Sequence, residues 1–235
     1  MADGMPATAD TPPAPSIATA WVKNNVLAAV VSGTASLAIY GVRHAAGVAG
    51  GEPGLAGITI LFVVAIVLSA FTGIAYGVLT GAVLQRIVPL LPVKPWIALN
   101  AGMAVAAAVL SEIGLILLPS TPATDDSSMG EVLLVGLIAG AVLGAAIGWL
   151  QALVLRKAAL GASAWIAWSV VAFVVAVVLV AGSGKLWETG SSGFAGELAN
   201  QAVAFLAYVI MSVVMLPALR RLRDPLLSAA GPHFS

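Results

Sequence analysis

Residues 132–155 read VLLVGLIAGAVLGAAIGWLQALVL, twenty-four positions without one charge. A helix needs about 20 predominantly apolar residues to cross the hydrocarbon of a bilayer. This stretch meets that requirement by itself, and it is not alone. Apolar runs of similar character occur at Val22–Val42, Gly57–Leu84, Trp96–Leu118, Ala164–Ala181 and Leu198–Leu219. Long continuous runs predict helices, because a membrane barrel would show short alternating segments instead. The expected fold is therefore all-α: a polytopic integral membrane protein with six transmembrane helices. The first run is diluted by Ser32, Thr34 and Ser36, and the second is long enough to tilt or to project past the bilayer.

Composition agrees. Of 235 residues, 60% are hydrophobic and 9% charged, against roughly 45–50% and about 25% in soluble domains. Twenty charged side chains could not cover a water-soluble surface of this size, so lipid is the main solvent and membrane lipids are the first expected partners. Ten basic residues balance ten acidic ones, which leaves no field to attract nucleic acid. Cysteine is absent and only His44 and His233 could ligate as imidazoles. Thiolate metal sites, iron–sulfur clusters and bis-histidine haem are excluded, and no cofactor is expected.

Residues 1–20, rich in Ala, Pro, Thr and Asp, read as a disordered tail, with the transmembrane domain at 21–219 and a short basic tail at 220–235. Asp3 and Asp10 precede any lysine, so the first run reads as a span and not as a cleaved leader. Lys23, Arg86, Lys94, Arg156, Lys157, Arg220, Arg221 and Arg223 fall on one side of a six-span topology. The positive-inside rule makes that side cytoplasmic, with both termini inside and the inner (plasma) membrane as the location. Trp21, Trp96 and Trp165 open their spans at this side and are expected to be interfacial anchors. His44, beside Arg43, is expected in a solvated loop.

Small residues recur at steps of four within two spans. Ser69, Gly73, Gly77 and Gly81 mark the second, and Gly136, Gly140, Gly144 and Gly148 mark the fourth, 67 residues on. Such stripes let backbones approach closely, which drives helix association in lipid. Gln85 and Gln151 lie just past the stripes, followed by a basic residue and then by Pro95-Trp96-Ile97-Ala98 and Ala164-Trp165-Ile166-Ala167. The pattern predicts a parallel repeat of helical hairpins, spans two–three and four–five. Span six has lost the glycines. The expected partner of each stripe is the other stripe, a protein subunit or a second copy of the chain. Gln85 and Gln151 are expected to cap helix ends or to hydrogen-bond across the hairpins.

Glu112 is the sole charge well inside a span. An intramembrane carboxylate must be protonated, paired or hydrated, and marks a candidate functional site. Ser111 adjoins it, and Asn200 and Gln201 lie at similar depth in span six, so the four define a candidate polar vestibule with no basic partner visible. Catalytic signatures are missing. Gly182-Ser183-Gly184-Lys185 ends like a phosphate-binding loop, but Leu179 and Leu186 occupy the positions of its first glycine and its hydroxyl. No enzyme is expected. In size and span count the chain resembles the substrate-binding membrane components of vitamin importers, a resemblance of architecture that transfers no residue. Two functions follow: an accessory or scaffold subunit packing through its glycine-striped helices, or a small permease or ion- or proton-conducting protein using Glu112.

Overall fold

The computed structural model describes residues 16–45, 54–117, 128–187 and 194–222. They form α1 (Ile17–Ala45), α2 (Leu55–Ile87), α3 (Val93–Leu117), α4 (Met129–Leu155), α5 (Ala162–Trp187), α6 (Phe194–Val214) and α7 (Leu216–Arg221). Among the described residues, six helices are long and apolar enough to cross a membrane. Helix is the economical solution there, since every backbone N–H and C=O is satisfied within its own segment. The 33 residues of α2 rise about 50 Å at 1.5 Å each, well beyond the ~30 Å of hydrocarbon, so this helix tilts or projects.

Local chemistry sets the helix ends. At α4, the Ser128 hydroxyl accepts from the Glu131 N–H at 3.2 Å, and the Glu131 carboxylate accepts from the Ser128 N–H at 2.8 Å. This reciprocal cap satisfies donors that the first turn would otherwise strand. The turn before α5 uses Gly161 at φ +81°, where a side chain would run into the Arg221 carbonyl of α7. The sixth span breaks at Met215, two residues before Pro217. Proline offers no N–H and crowds the carbonyl four residues back, so the expected single span to Leu219 becomes α6 and the short α7. At the other end of the chain, α1 starts at Ile17, five residues before its apolar run and inside the segment expected to be a disordered tail.

Each helix neighbours the next in sequence, and α6 returns to α1, closing a ring. The packing around that ring is uneven. Contacts are most extensive within α4–α5 and α2–α3, intermediate for α1–α2, α5–α6 and α1–α6, and sparse between α3 and α4. Alternating helix directions gather Lys23, Arg86, Lys94, Arg156, Lys157, Arg220 and Arg221 at one end of the bundle, hereafter the basic end. The tight core lies there. Trp21, Trp96, Trp165, Leu84, Val88 and Leu155 are essentially inaccessible, sealed by Ala218, Leu219 and Leu222.

Candidate functional site

Several glycines of the two stripes sit where neighbouring helices approach closely. A Cβ added at Gly140 would lie 2.7 Å from Val174 Cα, and one at Gly144 2.7 Å from Ser169 O and Val170 Cα. At Gly73 it would lie 2.5 Å from Asn100 O, and at Gly77 2.8 Å from Ile97 Cα. Gly81 faces the Trp96 ring, Gly148 meets Ser169 and Ile166, and Gly136 has ordinary clearance to Ala181. Ser69, which opens the first stripe, is partly exposed. The expectation that the two stripes pack on each other is therefore corrected: the α2 stripe is covered by α3 and the α4 stripe by α5. Gly77 and Gly148 both face the isoleucine after a tryptophan, and Gly73 and Gly144 both face the fourth residue after it.

Where these hairpins converge, the three tryptophans meet. The Trp165 ring stands edge-on to Trp21 at 5.9 Å and 84°, and to Trp96 at 6.0 Å and 81°. They are at most 1% exposed, so they are core side chains and not the interfacial anchors their positions suggested. A buried indole N–H needs an acceptor, and each finds one on a neighbouring even-numbered helix. Trp96 donates to Thr80 Oγ1 at 3.0 Å, Trp165 to Gln151 Oε1 at 2.8 Å, and Trp21 to the Ser212 carbonyl at 3.0 Å.

One turn further along lie Asn25, Asn100 and Ser169, four residues after their tryptophans and all buried. Asn25 and Asn100 donate to the carbonyls of Trp21 and Trp96 at 2.9 and 2.8 Å. Gln151 Nε2 then donates to Asn100 Oδ1 at 3.0 Å, a bond from α4 to α3 across the sparse side of the ring. The Ser169 hydroxyl has only the Met215 sulfur, at 4.0 Å.

These groups floor a cavity of about 520 Å³ that runs from the tryptophan cluster toward the opposite end and is lined by all six long helices. That volume lies within the range of small-molecule sites, about 300–1,000 Å³. Its walls are Met103, Ala107, Ile147, Phe173, Val177 and similar residues, with Tyr76 and Tyr208 among them, and among the described residues no charged one lines it.

The residues singled out from sequence are distributed differently. Glu112 pairs with Arg43 of α1, Nη2 to Oε1 3.0 Å, so the carboxylate does have a basic partner. In place of the expected loop, Arg43 and His44 end α1, with the His44 ring stacked on Tyr40 at 6.4 Å. Ser111 and Asn200 are exposed, and Gln201 donates to Glu197 at 2.7 Å. None of Glu112, Ser111, Asn200 and Gln201 lines the cavity. Of the two glutamines, Gln151 belongs to the polar floor whereas Gln85 is exposed. Thr80, on α2, accepts the Trp96 indole N–H as Gln151 accepts that of Trp165. Sequence reading missed Asn25, Thr80, Asn100, Ser169 and Ser212. A usable signal was present: a polar residue follows each of three span-opening tryptophans at i+4, on the same helix face.

Fold and site together define a multipass α-helical membrane protein with an uncharged intramembrane cavity. No protein-family model matches the chain, and no curated protein and no solved structure matches it.

Proposed function

We propose that this chain is a non-catalytic protein of the inner membrane that binds a small uncharged solute in its central chamber, as a permease or solute-binding membrane protein. The observation that carries the reading is the cavity of about 520 Å³ between six helices, with amide and hydroxyl groups on its floor and no charge on its walls. Basic residues at one end of the bundle support a cytoplasmic assignment for that end and for both termini.

We read the architecture as a repeat of helical pairs: α2–α3, α4–α5 and, formed by packing of the last long helix against the first, α6–α1. Each pairs a tryptophan-bearing helix with one that accepts its indole N–H. Tyr76, Ile147 and Tyr208 stand one turn before Thr80, Gln151 and Ser212 and all face the chamber. The glycine stripes serve this architecture from within, by clamping hairpins into stiff walls. A scaffold role using the same stripes toward another subunit is less well supported, because α3 and α5 already cover them. Bulky outward residues such as Val135, Val142 and Leu110 suit lipid. Proton coupling through Glu112 is likewise disfavoured by its pairing with Arg43.

The test is occupancy. Protein extracted in mild detergent should carry a small molecule visible by native mass spectrometry. Ala204→Phe or Ala176→Phe, each placing a ring in the chamber, should remove it. Unchanged occupancy in both folded variants would refute the reading.

A further inference from the structure

We infer that the chamber takes its ligand sideways from the membrane, through the seam between α3 and α4, and that the ligand is an uncharged amphiphile: an apolar chain or ring bearing a hydroxyl or carbonyl head. This entry route rests on the chamber being the binding site.

Three seams separate the hairpins, and two are closed. α1 packs along α2 and α5 along α6, whereas α3 and α4 touch only sparingly. Burial follows the same division. α1 buries Asn25, Ala28, Ala29 and Ala35, and α5 buries Ser169, Ala172 and Ala176. Between Asn100 and Glu112, α3 buries no residue at all. Ala107 both lines the chamber and is exposed, and Leu110 one turn on is 70% exposed. The seam is fastened at its basic end by the Gln151–Asn100 hydrogen bond. Toward the other end, the ion pair of α3 runs to Arg43 on α1, away from α4.

The lining specifies what can pass. A charged group in this path would meet no counter-charge, and charges are strongly disfavoured in such surroundings. An apolar body would find Met103, Ala107 and Ile147 along the opening. At the floor, the Asn25 amide oxygen holds no hydrogen bond among the described residues, and the Ser169 hydroxyl has only a sulfur contact. These two groups can receive a hydroxyl donor or satisfy a carbonyl, which a purely hydrocarbon guest would leave unmet.

The cysteine-free sequence permits a direct test in lipid nanodiscs, using Ser169→Cys and Ala207→Cys as chamber reporters and Val142→Cys as a lipid-facing control. The probes are N-dodecylmaleimide, uncharged and lipid-soluble, and a sulfonated maleimide confined to water. The chamber cysteines should react with the dodecyl reagent roughly 100-fold faster than with the sulfonated one, the discrimination expected when a charged group must cross an apolar path. Adding Ala107→Trp should slow dodecyl labelling of both reporters and leave Val142→Cys unaffected. Comparable labelling by the two reagents would overturn the lateral route while keeping a chamber that opens to water. A dodecyl rate indifferent to Ala107→Trp would also overturn it. If neither reporter reacts in nanodiscs although both react once unfolded, the chamber is closed and the binding reading itself fails.

Discussion

Replacing Gly144 with alanine adds one methyl group at a close contact between α4 and α5, and its consequence can be worked from the geometry. The new Cβ would lie 2.7 Å from both Ser169 O and Val170 Cα, and 3.0 Å from Phe173 Cβ. Carbon atoms rest at about 3.5–4.0 Å, so α4 and α5 must separate by roughly 1 Å or bend locally. Both atoms at 2.7 Å belong to backbone, so no rotamer change relieves the clash. Overpacking of this kind costs about 1–3 kcal/mol, against a helix-propensity gain of at most about 1 kcal/mol. Gly140→Ala meets the same obstacle at Val174, and the double variant should lose less than the sum, because one separation relieves both clashes. Gly136→Ala, with its nearest neighbour at 3.4 Å, and Gly102→Ala, with nothing within 4 Å, serve as controls. The assay is SDS-induced unfolding from mixed micelles, followed by near-ultraviolet circular dichroism of the tryptophan cluster. Gly144→Ala should shift the midpoint to lower SDS, with both controls close to the parent. If Gly144→Ala unfolds with the controls, the close approach of α4 and α5 is wrong.

Gln151→Leu strips an acceptor from Trp165 and a donor from Asn100, so it should lower stability by about 1–2 kcal/mol in the same titration, while Gln85→Leu, exposed, should change little. Equal effects would detach Gln151 from the floor network. Arg43→Leu should destabilise more than Glu112→Gln, because the former leaves a buried carboxylate unpaired, and Arg43→Leu with Glu112→Leu should recover part of the loss; thermal melting of the three proteins decides. In proteoliposomes, Glu112→Gln should leave any solute flux unaltered, and abolished flux with a folded protein would return the carboxylate to the mechanism. Cysteines introduced at Gly50, Asp126 and Ser192, which lie outside the described residues, should react with an impermeant thiol reagent from outside intact cells, and those at Lys94 and Lys157 should not. Labelling at either lysine position would reverse the assigned topology.

The six long helices were legible along the chain because the requirement for about 20 apolar residues is local. A run such as 132–155 states its own solvent. The glycine steps were equally plain, and they marked faces that approach a neighbour closely. What they could not state was the neighbour. A stripe describes one surface, and only the three-dimensional path of the chain decides whether α3, α5, the other stripe or a second molecule lies against it. The same limit explains the tryptophans. At a span end, an anchor and a core residue have the same sequence position; the meeting of Trp21, Trp96 and Trp165 depends on helices 75 and 69 positions apart converging at one end of the ring. Glu112 looked unpartnered for a related reason, since Arg43 lies 69 residues away and reaches it only across the folded bundle. Sequence determined the solvent, the number of long helices and the small faces by which they pack. Tertiary structure decided the pairing, and with it the chamber, because a cavity is the space that several separately encoded surfaces leave between them.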